Sequence, residues 1–151
     1  MSETNLHPPA EWAPHSAVWT AWPSDGDLWL DNLEPAQAEV AAMVRALSAA
    51  GPGGKPGDSV RLLVHGPEAL LSAEKAVGEV CEIIPARFGD IWLRDTGPIF
   101  SANDRCNLFV FNGWGGKYVL DHDDEVGEFV ARGAGAEFVR HDKVLEGGAI
   151  D

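Results

Sequence analysis

Eleven residues, Asp90-Ile91-Trp92-Leu93-Arg94-Asp95-Thr96-Gly97-Pro98-Ile99-Phe100, constrain this chain more than any other stretch, because they set an Arg-Asp pair between apolar neighbours. Ile91, Trp92 and Leu93 read as a buried strand, and Gly97-Pro98 as the turn that stops it. Charges carried into apolar surroundings must be paired or used. Arg94 and Asp95 are therefore either an ion pair that fixes the backbone or part of a functional site.

Strands and helices alternate on both sides of this stretch. Residues 7–14, with Pro8, Pro9 and Pro14, read as an extended surface lead-in. Residues 16–22 are β-prone and end at the turn chemistry of Pro23-Ser24-Asp25-Gly26. Residues 35–50 predict a helix: Pro35 suits its first turn, Val40, Met43, Val44 and Leu47 repeat at helical spacing, and Gly51 stops it. Residues 51–58 are a surface loop rather than a domain linker. A strand over 60–65, a helix over 67–77 opened by Gly66-Pro67, and a strand over 79–84 with Cys81 packed in it follow. Residues 99–102 and 107–111 predict a hairpin around Asn103-Asp104-Arg105, with Cys106 at the start of its second strand. Residues 121–133 predict a helix with an acidic, solvated first turn and Val126, Phe129 and Val130 on its apolar stripe. Residues 137–140 predict a strand, and 145–150 the start of a strand-and-turn element instead of a polar tail. The pattern is that of an α/β (α+β) chain, with residues 1–151 as a single domain. It carries no dinucleotide fingerprint, which excludes a Rossmann domain.

The 151 residues suffice for a real core, and 45% of them are hydrophobic. Trp12, Trp19, Trp22 and Trp29 cluster, either as core and edge packing or as an aromatic wall beside a ligand. The formal charge of −13, from 11 basic and 24 acidic residues, excludes a nucleic-acid or anionic-membrane partner and suits a cationic substrate. No apolar run approaches the roughly 18 residues of a membrane span, and the N-terminus has no secretory signal pattern. Cys81 and Cys106 form no CxxC pair, so free thiols and a cytoplasmic setting are expected. The acidic run Asp121-His122-Asp123-Asp124-Glu125 is not a calcium loop, because Val126 stands where the EF-hand needs Gly and Arg132 where it needs Glu. Asn112-Gly113-Trp114-Gly115-Gly116-Lys117 lacks phosphate-loop spacing.

Five motifs then occur in order: Pro9-Ala10-Glu11-Trp12; Ala17-Val18-Trp19 with Trp22-Pro23; Trp92-Leu93-Arg94-Asp95-Thr96-Gly97-Pro98; Phe111-Asn112-Gly113-Trp114-Gly115-Gly116-Lys117; and Leu145-Glu146-Gly147-Gly148-Ala149-Ile150-Asp151. Together they resemble the agmatine deiminases, of the bacterial-type peptidylarginine deiminase family within the guanidino-group modifying, or pentein, superfamily. The resemblance runs from about residue 8 to the last residue. It implies a pentein-type α/β propeller of ββαβ modules about a pseudo-fivefold axis, of which this chain covers roughly the first two of five. It implies hydrolysis of a guanidinium group: a Cys attacks the guanidinium carbon, ammonia leaves, and water cleaves the thiouronium intermediate. Asp95 matches the family aspartate that binds guanidinium nitrogens, and Trp92 the tryptophan lining that pocket. Glu146 matches the central glutamate that binds substrate and orients the catalytic His. Arg94 is expected as structural support, pairing with a carboxylate. No metal and no organic cofactor are implied.

The chain also departs from the family pattern. The nucleophilic Cys in its Gly-rich His-Cys segment and the His-x-Asp motif have no counterpart here. His141-Asp142-Lys143 has the wrong spacing and precedes the Leu-Glu-Gly-Gly motif. Half a substrate clamp without a nucleophile predicts inactivity alone, and a part of such a propeller predicts association through exposed strand edges, or a homo-oligomer. A partial gene product, a proteolytic product or a truncation would each account for it. Agmatine is favoured over a peptidyl arginine, because the Asn112 element continues with Lys117 and no Arg. A non-catalytic remnant that binds guanidinium ligands is the reading from a different class.

Overall fold

A computed structural model describes residues 8–10, 12–101 and 104–150. The chain forms two compact units, His15–Ile91 and Trp92–Asp151, the latter together with the described N-terminal residues to Pro14.

The first unit contains β1 (Val18–Ala21), the one-turn α1 (Gly26–Trp29), α2 (Leu33–Ser48), β2 (Val60–Val64), α3 (Pro67–Val77) and β3 (Glu82–Pro85). The three strands are parallel in the order β1-β2-β3, with Thr20 opposite Leu62 and Leu62 opposite Ile83. A central parallel strand is covered on both faces, which demands a near-continuous apolar run. Val60, Leu62, Leu63 and Val64 supply it and are all buried. Val40, Ala41 and Val44 of α2 and Ala69, Ala73 and Val77 of α3 pack with these strands and with Trp22 in one core. The small residues at helical spacing on α3 let the helix lie close to the sheet. The buried Trp22 indole N–H donates to Ser72 Oγ at 2.8 Å, so its one polar atom is satisfied. Of the clustered tryptophans, Trp22 is core, whereas the Trp19 ring faces the Arg61 guanidinium at 5.1 Å.

The 51–58 loop folds back on the end of α2. The Asp58 N–H donates to the Leu47 carbonyl at 2.8 Å, and a Cβ on Gly57 would lie 2.3 Å from the Ser48 carbonyl oxygen. That contact, not Gly51 alone, ends the helix two residues before Ala50. Strand β3 starts later than expected, so Cys81 sits just ahead of it and not within it. The half-buried Cys81 thiol lies 3.4 Å from the Val77 carbonyl oxygen.

The second unit contains the one-turn α4 (Leu93–Thr96), β4 (Ile99–Ser101), β5 (Arg105–Val110), the one-turn α5 (Gly113–Gly116), α6 (Val126–Gly133) and β6 (Glu137–Val144), then a 3-10 turn at Gly147–Ala149. Strands β4 and β5 are antiparallel and β5 and β6 parallel, so this sheet is mixed. Val126, Val130 and Ala131 of α6 and Cys106 and Leu108 of β5 are its buried apolar residues. Gly127 permits the close approach of α6, since a Cβ there would stand 2.9 Å from the Thr96 carbonyl oxygen and 3.3 Å from Leu108.

Three expectations need correction in this unit. Ile91-Trp92-Leu93 is not a buried strand: the chain turns into α4, and Trp92 is 51% exposed. Three apolar residues cannot specify a strand over a helical turn, and the Asp95 and Thr96 N–H groups both donate to the Trp92 carbonyl. The helix expected from residue 121 begins at Val126, because His122 adopts φ 72° and residues 121–125 form turns; Asp123 is buried there and not solvated. Strand β6 runs four residues past Arg140, through an irregular register opposite Phe109. Residues Met1–Leu6, His7 and Glu11 of the lead-in, Ala102 and Asn103 of the hairpin, and Asp151 lie outside the described residues.

Candidate active site

The second unit builds its polar centre around Asp95. Helix α4 is one turn long because Gly97-Pro98 follows it, and proline disfavours helical backbone in the residue before it. The turn closes through the Gly97 N–H to the Leu93 carbonyl at 2.9 Å, and Thr96 Oγ1 adds a bond to the Trp92 carbonyl at 3.2 Å. Gly97 is required at that exit, since its Cβ would lie 2.4 Å from the Leu93 oxygen.

The Asp95 carboxylate receives two neutral donors from distant segments. Oδ1 accepts the Gly148 backbone N–H at 3.0 Å, and Oδ2 accepts the Trp114 indole N–H at 3.0 Å. These two donors fix the orientation of the carboxylate. Each carboxylate oxygen has a second lone-pair direction, so both keep acceptor capacity for an incoming cation. A planar guanidinium matches that arrangement, since it offers paired N–H groups to two oxygens.

The Leu145-Glu146-Gly147-Gly148 segment lies directly on α4. A Cβ on Gly147 would come within 2.3 Å of the Arg94 carbonyl oxygen, and one on Gly148 within 2.4 Å of Asp95 Oδ1. Two glycines are thus the condition for this contact. The Arg94 side chain is carried over the same glycines, its Cγ 3.7 Å from the Gly148 Cβ position. Glu146 caps the 3-10 turn in extended conformation, half-buried, its carbonyl accepting the Ala149 N–H at 3.0 Å. It stands two residues before the amide that holds Asp95. Arg94 and Asp95 thus meet Gly147 and Gly148, the two residues that follow Glu146, and Trp92 stands at the head of the α4 turn.

The glycine-rich loop contributes what the sequence did not single out. Gly113, Trp114, Gly115 and Gly116 all have positive φ, with Trp114 at φ 52°, ψ 51°. Left-handed backbone costs a residue with a Cβ about 1–2 kcal/mol. The loop offsets this with the Asn112 side chain accepting the Gly115 N–H at 2.8 Å, and with Trp114 edge-on to Phe111 at 4.9 Å and Tyr118 at 6.3 Å. Gly113 cannot be replaced, because its Cβ would fall 2.1 Å from the Tyr118 carbonyl oxygen. The available signal was a bulky residue set among three glycines.

Neither cysteine is an activated nucleophile. Burial pushes the Cys106 and Cys81 thiols above the ordinary 9.0, so both stay protonated at neutral pH. His141 Nε2 lies 2.9 Å from Asn107 Oδ1 and its ring stacks on Phe109 at 4.5 Å, which engages it on the sheet face. Among the described residues, no three His, Cys, Asp or Glu side chains group as a metal would need, and no helix is long and apolar enough to cross a membrane.

Residues 7–151 match the family model described as Porphyromonas-type peptidyl-arginine deiminase. The agmatine deiminase of Stutzerimonas stutzeri is 36% identical over 153 aligned residues, covering 94% of this chain and 39% of its own length. That of Ectopseudomonas mendocina is 32% identical, covering 96% of this chain and 40% of its own. The chain thus spans about two fifths of the length of the curated relatives it matches. An X-ray structure of a candidate agmatine deiminase superposes with TM-score 0.80 at 28% identity over 97% of this chain and 42% of that one. The substrate-bound agmatine deiminase variant of C. jejuni superposes with TM-score 0.76 at 24% identity over the same shares, which carries the fold alone. The α/β class expected from the sequence is the one these structures share.

Proposed function

The chain belongs to the Porphyromonas-type peptidyl-arginine deiminase family, and from that premise we propose that the protein carrying it is an agmatine deiminase, converting agmatine and water to N-carbamoylputrescine and ammonia on the route to putrescine. The observation that carries this reading is the Asp95 carboxylate, whose two oxygens are set by Trp114 and Gly148 and keep acceptor capacity for a guanidinium. Asp95 binds two guanidinium nitrogens and keeps the carbon facing the nucleophile. Trp92 walls the pocket, Arg94 supports the turn, and Glu146 binds substrate and orients the general acid/base His.

The nucleophile and that His come from outside the motifs this chain matches. A cysteine thiolate forms a C–S bond to the guanidinium carbon, the C–N bond breaks, and ammonia leaves with a proton from the His. Water then attacks the same carbon and gives a proton back to the His, the C–S bond breaks, and the thiolate returns. Without that Cys and His, the 151 residues alone do not turn over substrate. The free thiols Cys81 and Cys106 support a cytoplasmic setting, and the exposed Val139 and Val144 of β6, an outer strand of its sheet, support association through that strand. Lys117, with no Arg beside it, favours agmatine over a peptidyl arginine, whose carboxylate needs a cationic partner.

The test is hydrolysis of agmatine by the natural gene product, with its intact mass measured first. A mass more than twice that of this chain, with ammonia release, is expected. Asp95→Asn should lower kcat/KM on the order of 10²–10³-fold, the usual size for unpairing a bound charge. Near-normal turnover by that variant would falsify the role of Asp95. A gene product of this chain's mass that binds agmatine without releasing ammonia would favour the binding remnant.

A further inference from the structure

The geometry points to Trp114 as the positioning residue of the Asp95 carboxylate. This rests on the reading of Asp95 as the guanidinium ligand and assigns the residue that sets its orientation. A carboxylate turns freely about its last side-chain bond, since that torsion has broad wells. One hydrogen bond leaves the turn partly open, and two from different directions close it. Gly148 supplies the first from backbone 53 residues away, and Trp114 the second from 19 residues away. Trp114 is the only side chain of the two, so it is where the sequence can tune the carboxylate.

The backbone argues the same way. A loop of left-handed residues is met most cheaply by glycine, and three of the four positions from Gly113 to Gly116 are glycine. The fourth carries the largest side chain available, in a conformation that disfavours it. Packing alone does not ask for this, because a phenylalanine ring offers the same edge contacts to Phe111 and Tyr118. The indole N–H is what phenylalanine lacks. It is a donor without charge, so it orients the carboxylate without neutralising it, and the negative charge remains for a guanidinium cation. An Arg or Lys at this place would fill the site with its own cation.

The experiment uses the natural gene product, labelled with 15N at tryptophan. Trp114→Phe removes one indole signal and so identifies it. Asp95→Ala should move that signal and leave the Trp22 indole signal in place, since Trp22 donates to Ser72. Trp114→Phe should raise the KM for agmatine about 10–100-fold, the size expected of a misplaced binding group, with a smaller change in kcat and a melting temperature within a few degrees of the parent. An indole signal that ignores Asp95→Ala, or a Trp114→Phe enzyme with parental KM, overturns the assignment. A parent that neither binds nor hydrolyses agmatine defeats the deiminase reading, yet the indole signal still decides whether Trp114 holds Asp95.

Discussion

The two units use the same elements to opposite ends. In the first, a parallel sheet is buried under α2 and α3, and its central strand is apolar from Val60 to Val64 except for Arg61. Its few special backbone positions, such as Gly66 at φ 90° before Pro67, start or stop regular elements. In the second, a small mixed sheet carries two one-turn helices and two glycine-rich turns, and each of those turns gives one hydrogen bond to the same carboxylate. The first unit is explained by burial. The second is explained only when the placement of Asp95 is taken as the thing its glycines and its left-handed tryptophan serve.

The contrast breaks most readily at the cores. Leu62 is fully buried in the large cluster, so Leu62→Ala should cost about 3–5 kcal/mol. Leu108 on β5 is 7% exposed in the smaller unit, and Leu108→Ala should cost about 2–3 kcal/mol. Amide hydrogen exchange, read at β2 for the first variant and at β5 for the second, compares the two losses. Equal losses would mean the second unit is held by burial as firmly as the first.

A smaller loss of stability, with a larger functional one, is expected at the glycine contact. Gly148→Ala forces its new methyl against Asp95 Oδ1 and breaks the bond to that oxygen. The cost in stability should be about 1–3 kcal/mol, the usual result of overpacking. Agmatine KM should rise by about 10–100-fold, as in Trp114→Phe, because both remove one of the two donors. A variant that loses stability but binds agmatine normally would show that the Gly-Gly turn serves packing alone.

How far the sequence could be read follows the same division. Helix α3 was legible over its whole length, since Gly66-Pro67 opens it and its apolar spacing is local. Strand β2 was legible because a covered strand writes its burial directly into the chain. Asp95 was legible as a charge that had to be paired or used, but its partners were not, because Trp114 and Gly148 reach it across 19 and 53 residues and no local pattern records such a contact. The α4 turn was misread for a related reason. A run of Ile91, Trp92 and Leu93 is compatible with strand or helix, and the choice is made by Gly97-Pro98 after it and by the glycines that lie on it. Likewise His122, at φ 72°, cuts off the acidic start that charge alone assigned to α6.

Each unit also holds one cysteine, which gives the smallest test. Burial raises the pKa of both thiols above the ordinary 9.0, so neither forms thiolate readily at pH 7. Cys106 is 1% exposed on β5, whereas Cys81 is only half-buried. Native-state alkylation should therefore be slow at both, faster at Cys81, and should accelerate as pH climbs through and above 9. The sign for stability follows from the same shift. Above about pH 9 the unfolded chain releases thiol protons that the folded chain retains, so folding weakens as pH rises, whereas below that value both states keep the proton and the full contribution remains. Replacing Cys106 by Ala should remove part of that alkaline loss, as should the same change at Cys81. If Cys106 instead alkylates at neutral pH as fast as a free thiol, the β5 core opens on that timescale, and the second unit is looser than its burial implies.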